Sequence, residues 1–234
     1  MSQKIVKLVI DGKEISAKEG DTILRAARDN GINIPTMCYL EGLSSVGGCR
    51  LCLVEAKGVT KLFPACSTPV SNGMDIVTNS ERLIKHRKKI VELLLSERTH
   101  ICSVCVANGS CELQDVATIF GVDHVEVARE WTRYDLNISH ERFVLDPNRC
   151  ILCTRCIRVC DEIEGVHTLD LMMRGKDSQV IVDLNEPWGS SYSCTSCGKC
   201  SAVCPVGAIY VKGKPLSETK KKELPEFIAE RRSR

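Results

Sequence analysis

The residues of this chain best suited to chemistry are its cysteines. There are 15 of them in 234 residues, and they lie in four groups with short spacings. Thiolates two residues apart can reach the same metal ion or cluster, so such spacings are typical of metal ligands. An odd total also argues against a framework of disulfides. The pattern therefore predicts metal ligation in a reducing, cytoplasmic compartment.

The clearest pattern is a run of four cysteines, C-x2-C-x2-C-x3-C, which occurs twice in the second half of the chain. The two copies are Cys150, Cys153, Cys156 and Cys160, then Cys194, Cys197, Cys200 and Cys204. In bacterial-type ferredoxins each such run gives three thiolates to one [4Fe–4S] cluster and its fourth to the other cluster. The sequence thus predicts two crossed sites: Cys150, Cys153, Cys156 and Cys204, and Cys160, Cys194, Cys197 and Cys200.

One residue of the repeat departs from the ferredoxin pattern. Pro205 follows the last cysteine as the pattern expects, whereas Asp161 follows Cys160. Paired C-x2-C units also bind zinc, so two zinc sites are the alternative interpretation. Three cysteines at equal gaps plus a fourth, present twice, favour iron–sulfur clusters.

A different set of cysteines lies near the N-terminus. Its members are Cys38, Cys49, Cys52 and Cys66. Two of them are close together after Gly47 and Gly48, where backbone N–H groups can approach a cluster because glycine has no side chain. The first gap is longer than in the plant-type C-x4-C-x2-C spacing. Two close and two distant cysteines on such a loop predict a [2Fe–2S] site.

The middle set contains only Cys102, Cys105 and Cys111. One [2Fe–2S] and three [4Fe–4S] clusters need one more ligand than the cysteines supply, and His100 lies beside this set. An imidazole in place of a thiolate removes a negative charge and should raise the cluster potential. The alternatives are a histidine that is merely nearby, an open coordination position, or an external ligand.

Cations accompany the cysteines. Arg50, Arg149, Arg155, Arg158 and Lys199 lie inside or beside the four motifs. Thiolate-ligated clusters carry net negative charge that must be stabilised where they are partly buried. These side chains are therefore expected to neutralise clusters, although some could simply be surface residues.

The elements that position these residues can be read from the pattern. We expect strands over 5–10, 14–17, 53–56, 61–65 and 74–78, and a helix over 22–30 capped by Asp21. An apolar stripe predicts a long helix over 80–95, and a helical pattern resumes over 112–120. Between the two ferredoxin runs, the segment around 180–184 predicts a hairpin insertion.

Composition excludes several classes of protein. A formal net charge of +2 gives no basic excess for nucleic acid. The sequence has no run of 18 apolar residues, and its start lacks the features of a signal peptide. It also has no G-x-G-x-x-G or P-loop motif and no catalytic triad signature. We expect a chain that neither spans a membrane nor binds NAD or flavin, and that has no catalytic residues.

The remaining histidines and tryptophans are assigned structural roles. His86, His124 and His140 are expected at the surface, and His167 is expected to be a packing residue. Trp131 and Trp188 are expected to be core or interface anchors.

With all four motifs placed, the sequence resembles the N-terminal portion of the large iron–sulfur subunit of respiratory complex I along nearly its whole length. It also resembles the front part of some iron-only hydrogenases and the diaphorase small subunit of NAD-reducing nickel–iron hydrogenases. The stretch His100-Ile-Cys-Ser-Val-Cys-Val-Ala-Asn-Gly-Ser-Cys-Glu-Leu-Gln114 is particularly similar to that diaphorase subunit. The usual family spacing places the ligand histidine where this chain has Arg98.

The resemblance implies an α+β fold with three cluster-binding parts. These are a β-grasp [2Fe–2S] ferredoxin domain over 1–80, a helical His/Cys3 [4Fe–4S] segment within 81–140 and a bacterial-type 2[4Fe–4S] ferredoxin domain over 141–213. The charged residues 214–234 form either a solvated tail or a docking extension. Because the sequence stops soon after the ferredoxin pair, we expect the diaphorase-type subunit rather than a longer relative.

The function that the resemblance implies is electron transfer. A flavin- and NAD-binding diaphorase large subunit would lie at one end of the cluster chain, and a hydrogenase small subunit with its nickel–iron catalytic subunit at the other. This chain would then be a non-catalytic subunit of an oxidoreductase that couples H2 oxidation to NAD+ reduction. The same clusters could serve an NAD-dependent formate dehydrogenase or a complex I-like assembly. A multi-zinc structural module is the alternative of another class.

Overall fold

The computed structural model describes residues 4–129, 133–219 and 226–228. The chain divides into two compact units, the first formed by Met1–Tyr39 and Ser45–Ile90 and the second by Leu40–Ser44 and Val91–Arg234. Trp131 and most of the charged residues after position 219 lie outside the described residues.

The first unit is built on a five-stranded mixed sheet. Its elements are β1 (Ile5–Ile10), β2 (Lys13–Lys18), α1 (Ile23–Asp29), β3 (Leu53–Ala56), β4 (Val59–Pro64) and β5 (Asp75–Val77). The strand order is β2-β1-β5-β3-β4, with β5 parallel to β1 and the other neighbours antiparallel. Alternating residues of β1 and β2 face one side of the sheet, and with the buried face of α1 they form the core.

The hairpin between β1 and β2 follows from its turn residues. Asp11 and Gly12 have φ of +50° and +80°, and the two-residue loop sets Ile10 opposite Lys13. The Asp11 carboxylate accepts hydrogen bonds from the Thr78 backbone N–H at 2.7 Å and from the Thr78 hydroxyl. The turn predicted from the sequence is therefore also tied to the end of β5.

The helix cap differs from the prediction. Thr22, not Asp21, is the N-cap of α1, and its hydroxyl accepts from the Arg25 N–H at 3.2 Å. The carboxylate of Asp21 instead accepts from the Lys18 N–H at 3.0 Å. The prediction of Asp21 as the cap was wrong, because its carboxylate is already engaged by the backbone of the turn that precedes the helix.

The long helix α2 (Glu81–Glu97) begins in the first unit. The second unit then contains α3 (Glu112–Ile119), β6 (Phe143–Leu145), α4 (Arg155–Arg158), β7 (Leu169–Met172), β8 (Gln179–Val182), α5 (Lys199–Val203), β9 (Ile209–Val211) and α6 (Leu216–Thr219). The pairs β6–β9 and β7–β8 are separate two-stranded antiparallel sheets. The β7–β8 hairpin is the insertion expected between the two cysteine runs.

Two histidine assignments are wrong. His140 is buried, because its ring packs 4.8 Å from Phe143 and 5.0 Å from Trp188. His167 is exposed, and its Nδ1 lies 3.0 Å from the Asp161 carboxylate. The surface positions expected for His86 and His124 are confirmed.

No helix among the described residues is long and apolar enough to cross a membrane. This agrees with the absence of a long apolar run from the sequence.

Candidate iron–sulfur sites

The N-terminal cysteines come together on the loops beside the five-stranded sheet. The Cys38 N–H lies 3.4 Å from the Cys49 sulfur, and the Cys52 thiol donates a hydrogen bond to the Cys66 sulfur. This hydrogen bond, together with burial, raises the pKa of the donor Cys52. The same hydrogen bond lowers the pKa of the acceptor Cys66 to about 7. Three of the four thiols are buried and that of Cys49 is half-buried. The four sulfurs therefore share one apolar site.

The loop around these cysteines needs glycine at one point. Gly47 has a φ of +60°, and a Cβ there would lie 3.1 Å from the Ser67 hydroxyl. Its backbone also forms a hydrogen bond with the Cys66 sulfur. The N–H donor that a glycine-rich loop can bring to a ligand sulfur is thus in position.

Arg87 of α2 supports the same loop, and sequence reasoning missed it. It is buried, and it donates to the carbonyls of Leu51 at 3.2 Å and Leu53 at 2.9 Å. Burial lowers its pKa, while the nearby Cys52 opposes that shift. Its position among the lysines of α2 makes it look like a surface residue in the sequence.

A partly open cavity of about 380 Å³ brings the middle set together. His100, Cys102, Cys105 and Cys111 line it, together with Leu95 and Arg149 among others. Cys102 opens a short 3-10 turn and Cys111 is the N-cap of α3, so helix ends hold two of the thiols. The Ala107 N–H approaches the Cys105 sulfur at 3.4 Å.

The His100 side chain is oriented toward this cavity. Its ring forms a hydrogen bond with the Leu94 backbone, while Nε2 is buried without a partner among the described residues. The Leu94 contact therefore involves Nδ1, which leaves Nε2 as the nitrogen free to bind a metal. Burial and nearby arginines lower the imidazole pKa to about 4, so the ring is neutral at pH 7.

Arg98 occupies the position where the family usually has the histidine, but its side chain contacts Ser178 and Tyr134. It is buried, its guanidinium donates to the Ser178 carbonyl, and it lies 4.5 Å from the centre of the Tyr134 ring. His100 thus supplies the imidazole of this cavity.

The first crossed set lines a second cavity, of about 340 Å³. The cavity is lined by the four cysteines of this set, Cys150, Cys153, Cys156 and Cys204. Apolar side chains, including Leu145, Val180 and Ile209, form part of the same wall. Burial raises the pKa of Cys150 to about 12, that of Cys153 to about 11 and that of Cys156 well above its ordinary value. We name this cavity the dry site.

Two buried arginines stand beside the dry site. Arg155 makes a bidentate pair with Glu112, both N–O distances being 2.9 Å, and its charge lowers the pKa of Cys153. Arg158 donates to the Cys153 carbonyl at 3.0 Å. Both side chains lie within the first cysteine run, at the two ends of α4, where the sequence indicated neutralising charge.

The second crossed set lines a third cavity, of about 350 Å³. Cys160, Cys194, Cys197 and Cys200 share it with Phe143, Thr168 and Trp188 among others. Cys197 is exposed, and only Cys200 of the four is buried. We name this cavity the open site. Lys199 lies beside it and pairs with Glu164, which lowers the carboxyl pKa and raises that of the amine.

The two runs share a backbone shape. Leu152 and Thr154 in the first run have positive φ of +52° and +59°, and Ser196 and Gly198 at the equivalent places in the second have +57° and +79°. Both loops then enter short helices. The runs differ after the fourth cysteine: α5 ends before Cys204 and Pro205, whereas the first run continues through a π-helical turn over Val159–Glu164. Asp161 allows this because it has the N–H that proline lacks.

These sites fit clusters better than single ions. Among the described residues, no three His, Cys, Asp or Glu side chains gather in a way that would hold one metal ion. In the second unit the thiols instead surround cavities, and His100, whose buried Nε2 has no hydrogen-bond partner among the described residues, lines one of them together with three thiols. Iron–sulfur clusters are held by soft thiolates that surround a cluster-sized cavity, and N–H groups donate to the ligand sulfurs.

Three domain families match the chain. Residues 3–81 match a 2Fe-2S iron-sulfur cluster binding domain, and residues 87–126 match an NADH-ubiquinone oxidoreductase-G iron-sulfur binding region. Residues 142–210 match the ferredoxin-like domain of NADH-quinone oxidoreductase subunit 3. A chain in a crystal structure of an NAD+-reducing [NiFe]-hydrogenase aligns with a TM-score of 0.83 and 32% identity, covering 89% of this chain and 88% of that one.

The chain belongs to this iron–sulfur subunit family, shared by NAD+-reducing [NiFe]-hydrogenase and complex I. Its α+β fold of ferredoxin-like parts, and its resemblance to these subunits, are thereby confirmed. The matches are to iron–sulfur domains, and they do not support the multi-zinc alternative.

Curated members of the family include subunits of other oxidoreductases. The NADPH-Fe(3+) oxidoreductase subunit alpha of Geobacter sulfurreducens is 38% identical over 230 residues, which is 96% of this chain. Subunit HndD of an NADP-reducing hydrogenase from Solidesulfovibrio fructosivorans is 39% identical over 88% of this chain. The NADH-ubiquinone oxidoreductase 75 kDa subunit of Reclinomonas americana is 36% identical over 89%. The chain spans 27%, 36% and 30% of the lengths of these relatives.

Proposed function

We propose that this chain conducts electrons between a flavin- and NAD-binding diaphorase subunit and a nickel–iron hydrogenase module. The alignment over 88% of a chain in an NAD+-reducing [NiFe]-hydrogenase structure carries this proposal. The assembly would couple H2 oxidation to NAD+ reduction reversibly. Within it this chain would be a non-catalytic, cytoplasmic subunit in contact with the diaphorase large subunit, the hydrogenase small subunit and the nickel–iron subunit.

The proposed cofactors are one [2Fe–2S] and three [4Fe–4S] clusters. The [2Fe–2S] ligands are Cys38, Cys49, Cys52 and Cys66, and those of the middle cluster are His100, Cys102, Cys105 and Cys111. The dry site would use Cys150, Cys153, Cys156 and Cys204, and the open site Cys160, Cys194, Cys197 and Cys200. When bound, such clusters accept and donate single electrons.

The chain's own residues would determine at which cluster the negative charge of an added electron is best stabilised. Backbone N–H groups, such as that of Leu152 at 3.3 Å from the Cys150 sulfur, stabilise negative charge on the ligands. Arg155 at the dry site and Lys199 at the open site add positive charge. Burial of the thiols raises their pKa and excludes water, so the protein disfavours free thiolates and favours metal-bound ones.

The same assignment proposes three cluster-binding domains, over 1–80, 81–140 and 141–213, followed by the charged tail 214–234. The family matches to residues 3–81, 87–126 and 142–210 support the first three.

The test is elemental and functional analysis of the native complex, isolated without oxygen. We expect at least about 14 iron atoms per copy of this chain, since the nickel–iron module adds iron of its own, and nickel stoichiometric to the complex. A variant with Cys153→Ser in this chain should block NADH-dependent H2 production but leave NADH-dependent dye reduction by the flavin subunit intact. Zinc without iron, or unchanged H2 production in the variant, would refute the proposal.

A second candidate is the same cluster chain in a different NAD(P)H oxidoreductase. The relative from Geobacter sulfurreducens, similar over 96% of this chain, favours it. In that case the isolated complex would contain the same iron but no nickel, and H2 would not reduce its clusters. Molybdenum or tungsten in place of nickel would indicate a formate dehydrogenase-type assembly.

A further inference from the structure

Trp188 makes a contact with one cysteine of the open site that its expected role as an anchor does not explain. The indole N–H donates to the Cys194 sulfur at 3.2 Å. The side chain is only 1% exposed, and it lines the same cavity as the four cysteines of the open site. A neutral N–H buried against a sulfur is an electrostatic feature as well as a packing one.

The surroundings hold the indole in this position. Its ring stacks on Phe143 at 5.6 Å with an interplanar angle of 24°, and its backbone N–H donates to the Asn137 side chain at 3.2 Å. A Cβ at Gly189 would lie 2.5 Å from the Ser139 carbonyl oxygen, so glycine is required where this turn packs against the segment around Ser139. The donor is therefore preorganised by contacts that do not involve the cysteine.

We propose that Trp188 is a positioning residue that raises the reduction potential of the cluster at the open site through its hydrogen bond to Cys194. This inference rests on the proposed function, since it requires that Cys194 ligates a redox cluster. Reduction adds negative charge to a cluster and its sulfurs, and a donor N–H stabilises the reduced form more than the oxidised form. Because the indole is buried, the effect is stronger than that of an exposed donor.

The dry site lacks this arrangement at the equivalent cysteine. Cys150 occupies the place of Cys194 in the first run, and its sulfur accepts from the backbone N–H of Leu152 at 3.3 Å. The residue at the place of Trp188 before the first run is Val144 of β6, which has no side-chain donor. At the dry site this cysteine thus accepts from a backbone donor, and at the open site its equivalent accepts from a side-chain donor that a substitution can remove.

The experiment is a redox titration of the oxygen-free holoprotein followed by electron paramagnetic resonance. Trp188→Phe keeps an aromatic ring and removes the N–H. We expect one [4Fe–4S] signal to move to a more negative potential, with iron content unchanged. At fixed ambient potential its oxidised-to-reduced ratio should rise roughly fivefold to tenfold, and a tenfold change corresponds to about 59 mV for one electron.

The control is Val166→Ala, which loosens the packing of the same cavity but leaves in place the indole, its stacking partner Phe143 and the donors to sulfur. An equal shift in this variant, or no shift in Trp188→Phe with iron retained, would overturn the inference. If Trp188→Phe does not fold, 15N-tryptophan labelling of the unaltered protein decides instead. A hyperfine coupling from an indole 15N in the reduced state supports the bond, and absence of any such coupling refutes it. Holoprotein without any iron–sulfur signal would refute the proposed function as well.

Discussion

The dry site and the open site are built from two copies of one cysteine motif, yet the residues around the two sites differ in burial and charge. Three of four thiols at the dry site are buried, with two buried arginines close by. At the open site one cysteine is exposed, and the neighbouring polar groups include Lys199 and the indole of Trp188. A ligand motif therefore sets which cluster binds, while the residues around it set how the cluster's charge is stabilised.

The largest effect is expected when a ligand of the dry site is lost. Cys156→Ser should remove about four iron atoms and lower the thermal unfolding midpoint by about 10 °C or more, because the cavity would keep buried, unligated polar groups. Cys197→Ser at the open site should also lose iron but lower the midpoint much less, since water reaches that residue. Iron analysis and calorimetry of oxygen-free protein check this. Equal losses of thermal stability would break the comparison.

The next effect concerns the charges beside each site. Arg155→Gln should lower the free energy of unfolding by about 3 kcal/mol, because it breaks the bidentate pair that the buried Arg155 guanidinium makes with Glu112. Lys199→Gln should cost about 1 kcal/mol, since the Lys199 side chain is 22% exposed whereas that of Arg155 is 4% exposed. Urea unfolding of the holoproteins gives both values. A Lys199→Gln loss as large as that of Arg155→Gln would contradict the assignment of buried charge to the dry site alone.

A third, intermediate effect extends the comparison to the cavity that His100 lines. His100→Cys should retain a cluster but lower its potential by roughly 100 mV, because a thiolate adds negative charge. His124→Ala, at an exposed position, is the matched control and should change no potential. The measurement is a redox titration followed by electron paramagnetic resonance. Titration curves that coincide with those of the unaltered protein would remove His100 from the ligand set.

The smallest effect concerns the backbone of the two loops. Gly198→Ala should destabilise the holoprotein by about 1–2 kcal/mol, because φ is +79° and the new Cβ would lie 3.3 Å from Phe143. Thr154→Gly at the equivalent position should change stability by less than about 1 kcal/mol, since relief of a positive φ is offset by loss of the hydroxyl that accepts from Arg158. Chemical unfolding of both variants tests this, and a stabilising Gly198→Ala would show that the two loops differ in backbone shape.

Much of the fold could be predicted because its signals are local. Strand β1 has the predicted bounds, since alternation and the Asp11-Gly12 turn lie within a dozen residues. The long helix α2 also follows from its apolar stripe, although it runs two residues further than expected. Chain regions with few regular elements, such as the one between α3 and β6, gave no comparable signal.

The residues that support the sites were harder to predict because they act across long stretches of chain. Arg87 bonds to carbonyls more than 30 residues away, and nothing in its helical surroundings distinguishes it from an exposed arginine. His140 was expected at the surface, yet its ring is buried by Phe143 and Trp188. Burial depends on what packs against a residue, and a sequence of mixed polarity does not specify this.

The sequence by itself determined the kinds of site in this protein, since ligand chemistry depends on residue type and short spacing. Two C-x2-C-x2-C-x3-C runs, a separate four-cysteine set and a histidine beside three cysteines could be read without coordinates. Only the tertiary structure decided that one ferredoxin-type cavity is dry and the other open, and that an indole N–H lies 3.2 Å from the Cys194 sulfur. These features depend on long-range packing, because burial and hydrogen bonding are properties of neighbours in space.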